Sequence, residues 1–354
     1  MSITFSGGEP VAIGSPRLTA RGRAILALLS AAVFFGASTV ASKAALDRVP
    51  PVTLAFERFG IALAVLLVLC RRAGVRPRFG RLPVLLGVTG IALPYVSQNL
   101  GLQHATAVDT TLVIEGGIPI VTAILGRAVL KERLTGRRLA ALLLSVAGIA
   151  TVVLFGATGH GEFSRLGSLL AFGAATSFAA YTVIGRRLFG DGFSLSVLTG
   201  SIVVGVLVLA PCAAVEMALS GPGAMRASDG LLLLYLGIGG SAGTQLLWAR
   251  GMADLAAAEV AVFGTLMPVV GISAAAVFLG EAITFVQIGG GLLVVAGLSL
   301  TARLARPVPS AGPRLSTVAS PIDRLFQSRA GFGLLRLARV RGFGPARRTT
   351  CSDA

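Results

Sequence analysis

Residues 119–149 read PIVTAILGRAVLKERLTGRRLAALLLSVAGI, and residues 268–298 read PVVGISAAAVFLGEAITFVQIGGGLLVVAGL. Pro119, Glu132, Thr135 and Gly148 of the first stretch recur as Pro268, Glu281, Thr284 and Gly297 of the second, at one constant spacing. Each stretch is an apolar run, a short polar turn and a second apolar run, and each run is long enough to cross a hydrocarbon core at ~1.5 Å per residue. A hairpin of membrane-spanning helices that appears twice makes the chain a duplicated, all-α integral membrane protein.

Composition outward from this pair agrees. Over 354 residues, 54% are hydrophobic and 13% charged, with mean hydropathy +0.84, which is more apolar surface than one soluble core can bury. Apolar runs near 24–45, 52–70, 82–103, 110–129, 138–156, 166–185, 194–217, 230–249, 258–279 and 286–303 predict ten spans. The duplication extends beyond the opening pair. FGASTVASK at 35–43 aligns with FAAYTVIGR at 178–186, and LGVTG at 86–90 with LGIGG at 236–240. The first run therefore has an internal copy, which a removable signal peptide would lack.

The expected domains are a cytoplasmic segment 1–23, five-helix units 24–156 and 157–303, and a basic cytoplasmic tail 304–354. An odd number of spans per unit forces the two units into opposite orientations, the inverted-repeat plan of secondary transporters. The net charge of +16 supports the same topology. Loops assigned to the cytoplasm hold Arg71, Arg72, Arg76, Arg78 and Arg81, then Arg127, Lys131, Arg133, Arg137 and Arg138, then Arg186, Arg187 and Arg250. The opposite side receives only Arg48, Arg165 and Arg226. Both termini are expected in the cytoplasm of a bacterial cell, with the chain in its inner membrane.

Several stretches carry a family resemblance: FFGASTVASKAAL at 34–46, ERFGIAL at 57–63, and the two hairpins quoted above. They resemble the EamA-type branch of the drug/metabolite transporter superfamily across about residues 24–303. That resemblance implies a ten-helix, exporter-like carrier of amino acids, nucleobases or other small metabolites. The first hairpin departs from the family in reading Leu-Lys-Glu at 130–132 instead of Leu-Gly-Glu, as does the long arginine-rich tail.

A carrier needs polar groups at membrane depth. Glu115 stands on one helical stripe with Thr111, Pro119 and Thr122, and is expected to bind a substrate amine or exchange a proton. A glutamate neutralised within a helix interface fits the same position. Tyr95, Gln98 and Asn99 on the third run, with Gln245 and Trp248 on the eighth, fall at related places in the two units and predict a shared cavity. Interhelical polar contacts with an interfacial tryptophan are the alternative. Lys43 and Glu57 stand at adjoining helix ends, where a gating ion pair competes with simple snorkelling to water. Glu132 and Glu281 read as structural, each followed by a capping threonine.

Three scattered cysteines and two solitary histidines, His104 and His160, predict no metal site and no cofactor. No paired nucleophile and base points to an enzyme. No P-loop pattern occurs, so transport is expected to run down a gradient or on ion coupling, with protons the candidate ion. The tail, with Leu325, Phe326, Phe332, Leu334 and Leu335 among arginines, is expected to be disordered or to lie on anionic lipid. No nucleic-acid motif is present, and a homodimer is left open. A channel-like or structural membrane component remains the alternative to a carrier.

Overall fold

The computed structural model describes residues 20–130, 135–155, 165–188, 194–221, 227–255 and 257–304. Every regular element among them is helical: α1 (Ala20–Ala45), α2 (Pro51–Ala73), α3 (Arg81–Gly87), α4 (Leu93–His104), α5 (Ala107–Leu130), α6 (Gly136–Phe155) and α7 (Arg165–Leu188). They continue with α8 (Leu195–Ser220), α9 (Ala227–Leu234), α10 (Thr244–Asp254), α11 (Ala257–Gly264), α12 (Leu266–Ala274) and α13 (Phe285–Leu304). The expectations for Glu132, for the side chain of Arg186 and for the tail fall outside the described residues.

Among the described residues, nine helical stretches are long and apolar enough to span a membrane. The predicted third run, 82–103, is not one of them, although its path is helical from 81 to 104. Gln98, Asn99, Gln103 and His104 crowd its second half and dilute its hydropathy. The outer surface carries Phe285 at 93% exposure and Leu219 at 82%, an apolar exterior that suits lipid contact. The chain is thus a multi-pass helical membrane protein.

Three π-helical turns occur among the described residues: one, Ala275–Leu279, closes the path of α12, and the other two widen long paths mid-course. π-helical turns at Val88–Ala92 join α3 to α4, and at Tyr235–Gly243 join α9 to α10. Both contain the duplicated LG-x-x-G pentapeptide or its flank. Pro94, which has no N–H to give the preceding turn, follows the first widening, and four glycines lie within the second.

Close helix crossings depend on absent side chains. A Cβ on Gly87 would stand 2.5 Å from the Ser201 carbonyl of α8, and one on Gly237 would meet Ile61 at 2.5 Å and the Arg58 carbonyl of α2 at 3.0 Å. A Cβ on Gly148 would meet the Gly290 carbonyl at 2.6 Å, and one on Gly297 the Ala141 carbonyl at 2.7 Å, sealing α6 against α13 from both sides. Such small-residue contacts let backbones approach where apolar burial offers no drive, because lipid is as apolar as leucine.

Polar contacts gather at one end of the bundle. The Glu216 carboxylate of α8 accepts from Val52 N at 3.1 Å and Thr53 N at 2.7 Å, capping α2. Glu281 accepts from Ala107 N at 2.8 Å and Val108 N at 3.1 Å, capping α5. Arg48 pairs with buried Asp229 at 2.7 Å. Each places a negative charge on unsatisfied amides or an opposite charge, where a helix start favours it.

Candidate functional site

The interior site grows from the start of α2. Pro50 is extended, Pro51 opens the helix, and the Glu216 cap holds the first turn, so Arg58 lies two turns inside the bundle. Its side chain is fully buried. Nε donates to Ser241 Oγ at 3.0 Å, Nη1 to Ser42 Oγ at 3.4 Å and Nη2 to the Gly240 carbonyl at 3.2 Å. These partners come from α1 and from the π-helical turn before α10, so one guanidinium ties three elements together. Its carbon sits 4.5 Å from the centre of the Tyr95 ring and 5.5 Å from that of Phe59, within cation–π range.

Tyr95 forms the wall of this site. Its ring packs edge-on against Phe59 at 4.6 Å and Phe178 at 5.4 Å, and Phe178 packs on Phe35 at 6.3 Å. One helical turn along α4, Asn99 is fully buried. It donates to the Pro51 carbonyl at 2.8 Å, while its own carbonyl oxygen has no partner. Gln98 donates to Thr39 Oγ1 at 3.4 Å. Among the described residues, the hydroxyls of Thr110, Thr111 and Thr122 on α5 are also buried without partners. Unmade hydrogen bonds of this kind cost ~1–3 kcal/mol each.

Glu115 is half-buried on α5, and no hydrogen bond or ion pair joins it to another described residue. Pro119, four residues on, has no N–H for the Glu115 carbonyl, so the helix lacks its usual donor there. Tyr95 lies within electrostatic range of both Glu115 and Arg58.

The sequence-predicted residues therefore divide. Tyr95, Gln98, Asn99, Thr111 and Glu115 lie on the adjoining helices α4 and α5. Trp248 packs elsewhere, in a cluster with Ala24, Leu28, Leu255 and Val260. A Cβ on Gly264, the duplicate position of Glu115, would stand 3.8 Å from that indole and meet nothing else. Gln245 is half-buried one turn before it on α10. Nor does the structure join Lys43 to Glu57. Lys43 Nζ donates to the carbonyls of Leu102 and, at 2.9 Å, Ala105, closing the end of α4, and Glu57 keeps one carboxylate oxygen buried and unpartnered.

Sequence reasoning gave Arg58 no role. The available signal was its depth, seven residues beyond Pro51, with no carboxylate four residues away on either side. Asp109 was also missed. Thr106 and Asp109 cap each other, and Gln287 of α13 donates to Asp109 at 2.9 Å. No three His, Cys, Asp or Glu side chains converge as a metal site among the described residues.

A lipid-exposed helical bundle with a charged, under-satisfied interior is the build of a membrane transporter. The chain belongs to the EamA-like transporter family, which matches it twice, over residues 22–154 and 165–303. It is 28% identical to "Uncharacterized transporter YyaM" of Bacillus subtilis, over 77% of this chain and 90% of that protein. It is also 28% identical to the "Probable terminal-alkyne amino-acid exporter" of Streptantibioticus cattleyicolor, over 79% and 94%. To the "Probable amino-acid metabolite efflux pump" of Escherichia coli it is 26% identical, over 77% and 92%. One solved crystal structure shares the fold, with TM-score 0.59 and 24% identity over 80% of this chain and 98% of that one.

Proposed function

We propose that this protein is a secondary carrier that exports a small, amine-bearing metabolite across the bacterial inner membrane by alternating access. In this reading ten spans form two inverted five-helix units, 24–156 and 157–303, with both termini in the cytoplasm and the basic tail on anionic lipid. The contacts of the glycines support the duplication. Gly87 on Ser201 and Gly237 on Arg58 are the same crossing in each half, and so are Gly148 on Gly290 and Gly297 on Ala141. Two of the three π-helical turns fall at corresponding places. A pseudo-two-fold axis relating such pairs leaves a midplane site between the units, where alternating access needs it.

The observation that carries the reading is Glu115, an acid with no protein partner among the described residues, within electrostatic range of Tyr95 in a bundle of apolar helices. An ionisable group there is costly unless something in transit compensates it. We assign it the substrate amine, or a proton exchanged for it. The names of two relatives, which mention amino acids or their metabolites, favour an amine-bearing cargo.

The test is thermal stabilisation of the purified chain against amino acids, nucleobases, polyamines and cationic drugs, repeated with Glu115→Gln. A ligand at a hundred times its Kd stabilises by about 2.7 kcal/mol. A shift for one amine class, lost in the variant, is the expected result. A shift that survives the substitution would remove Glu115 from the site.

A further inference from the structure

We infer that Arg58 is the anion-binding half of the substrate site and takes the carboxylate of the transported molecule in a two-pronged grip. The inference rests on the carrier reading above and adds a second recognition point to it.

The first argument is inventory. A guanidinium has five N–H groups. Ser241, Ser42 and the Gly240 carbonyl take three, drawing one hydrogen from Nε and one from each terminal nitrogen. One N–H remains on each of Nη1 and Nη2, the pair that a carboxylate accepts in bidentate fashion. No described residue takes them.

The second argument is charge. Arg58 is fully buried, and among the described residues no carboxylate pairs with it. Its neighbour in sequence, Glu57, does not reach it, and neither does Glu115. Two hydroxyls, one carbonyl and two aromatic faces stabilise a cation in part, but burial of a charge without a counter-charge still costs several kcal/mol. The fork can tie three elements together through neutral partners alone, but its charge is then left unpaired. Its fixed charge serves a mobile anion.

The third argument is position. Of the two rings under Arg58, the nearer, that of Tyr95, is also within electrostatic range of Glu115. A cation and an anion that form no ion pair with each other, both within electrostatic range of one tyrosine, suit a cargo that carries the opposite charges. Ser201, at the place in the second unit that corresponds to Arg58, is neutral, so the anion site is asymmetric. Since Arg58 is sealed in this conformation, its N–H groups come into reach when α2 and the π-helical turn at Gly240 move apart.

The decisive comparison needs no variant. Thermal stabilisation of the full chain is measured with L-phenylalanine and L-leucine, with their amides and with the corresponding amines, at matched ionic strength. The acids are expected to stabilise at tenfold or more lower concentration than the amides. Arg58→Gln, if it still unfolds cooperatively, should erase that difference, and Arg58→Lys should retain part of it. Equal stabilisation by acid and amide in the unaltered chain would overturn the inference, as would stabilisation by sodium chloride alone or by none of the acids. Exchange of an amine lacking a carboxylate by proteoliposomes, with no preference for the acid, would sink the anion site and leave the carrier standing. Failure of every compound to bind or exchange would sink both.

Discussion

At the scale of single residues, the account turns on positions where chemistry and surroundings disagree. Gly148 is the clearest packing case. Its virtual Cβ lies 2.6 Å from a backbone carbonyl, which cannot swing aside as a side chain can. Gly148→Val should lower stability by ~1–3 kcal/mol through overpacking, visible as an earlier thermal transition in detergent. Gly60, whose Cβ would meet nothing, is the control, and Gly60→Ala should be neutral or stabilising by up to ~1 kcal/mol. Arg58 marks where residue-level reading stopped. A basic residue near the start of an apolar run usually reaches back to water, and only the folded chain brings Ser42, Ser241 and Gly240 to it from the other direction. Glu115 was legible because nothing else acidic interrupts its run until Glu132.

At the scale of elements, the helices follow from long apolar runs whose length no soluble strand or helix would need. The exception is informative. The path from 81 to 104 is the most polar of the long helical paths because Tyr95, Gln98 and Asn99 serve interior contacts, so composition alone understates it. Helix ends obey local rules that were partly readable. Thr284 and Gln287 form a reciprocal cap at the start of α13, with Thr284 N to Gln287 Oε1 at 3.0 Å and Gln287 N to Thr284 Oγ1 at 3.2 Å. What Glu281 does could not be read locally, because the amides it caps belong to α5, far away in the chain. Removing it in Glu281→Ala should cost ~1–2 kcal/mol, read as a lower midpoint of thermal unfolding, with Glu281→Gln in between. Trp248 shows the reverse limit. Its spacing matched Gln98, yet neighbours along α1 and α11 decide its packing.

At the scale of the whole molecule, duplication was legible from the repeated hairpins, and the paired glycine contacts are what a two-fold relation between halves would produce. The proposed inverted arrangement has a topological consequence. A fluorescent reporter fused after residue 304 should light up in the cytoplasm of a bacterial host, and alkaline phosphatase inserted at residue 160 should be active outside. Reporters at the two sites on the same side would mean an altered number of crossings. The substrate was not legible, because the proposed site is made of side chains that three separate segments bring together.

The most direct test of the carrier is counterflow in proteoliposomes loaded with unlabelled amino acids and given the same compounds labelled outside. A carrier with one alternating site should accumulate label transiently, saturate with concentration, and lose at least tenfold of that exchange with Glu115→Gln. Flux that rises linearly, shows no counterflow and ignores the substitution would contradict it and describe a pore.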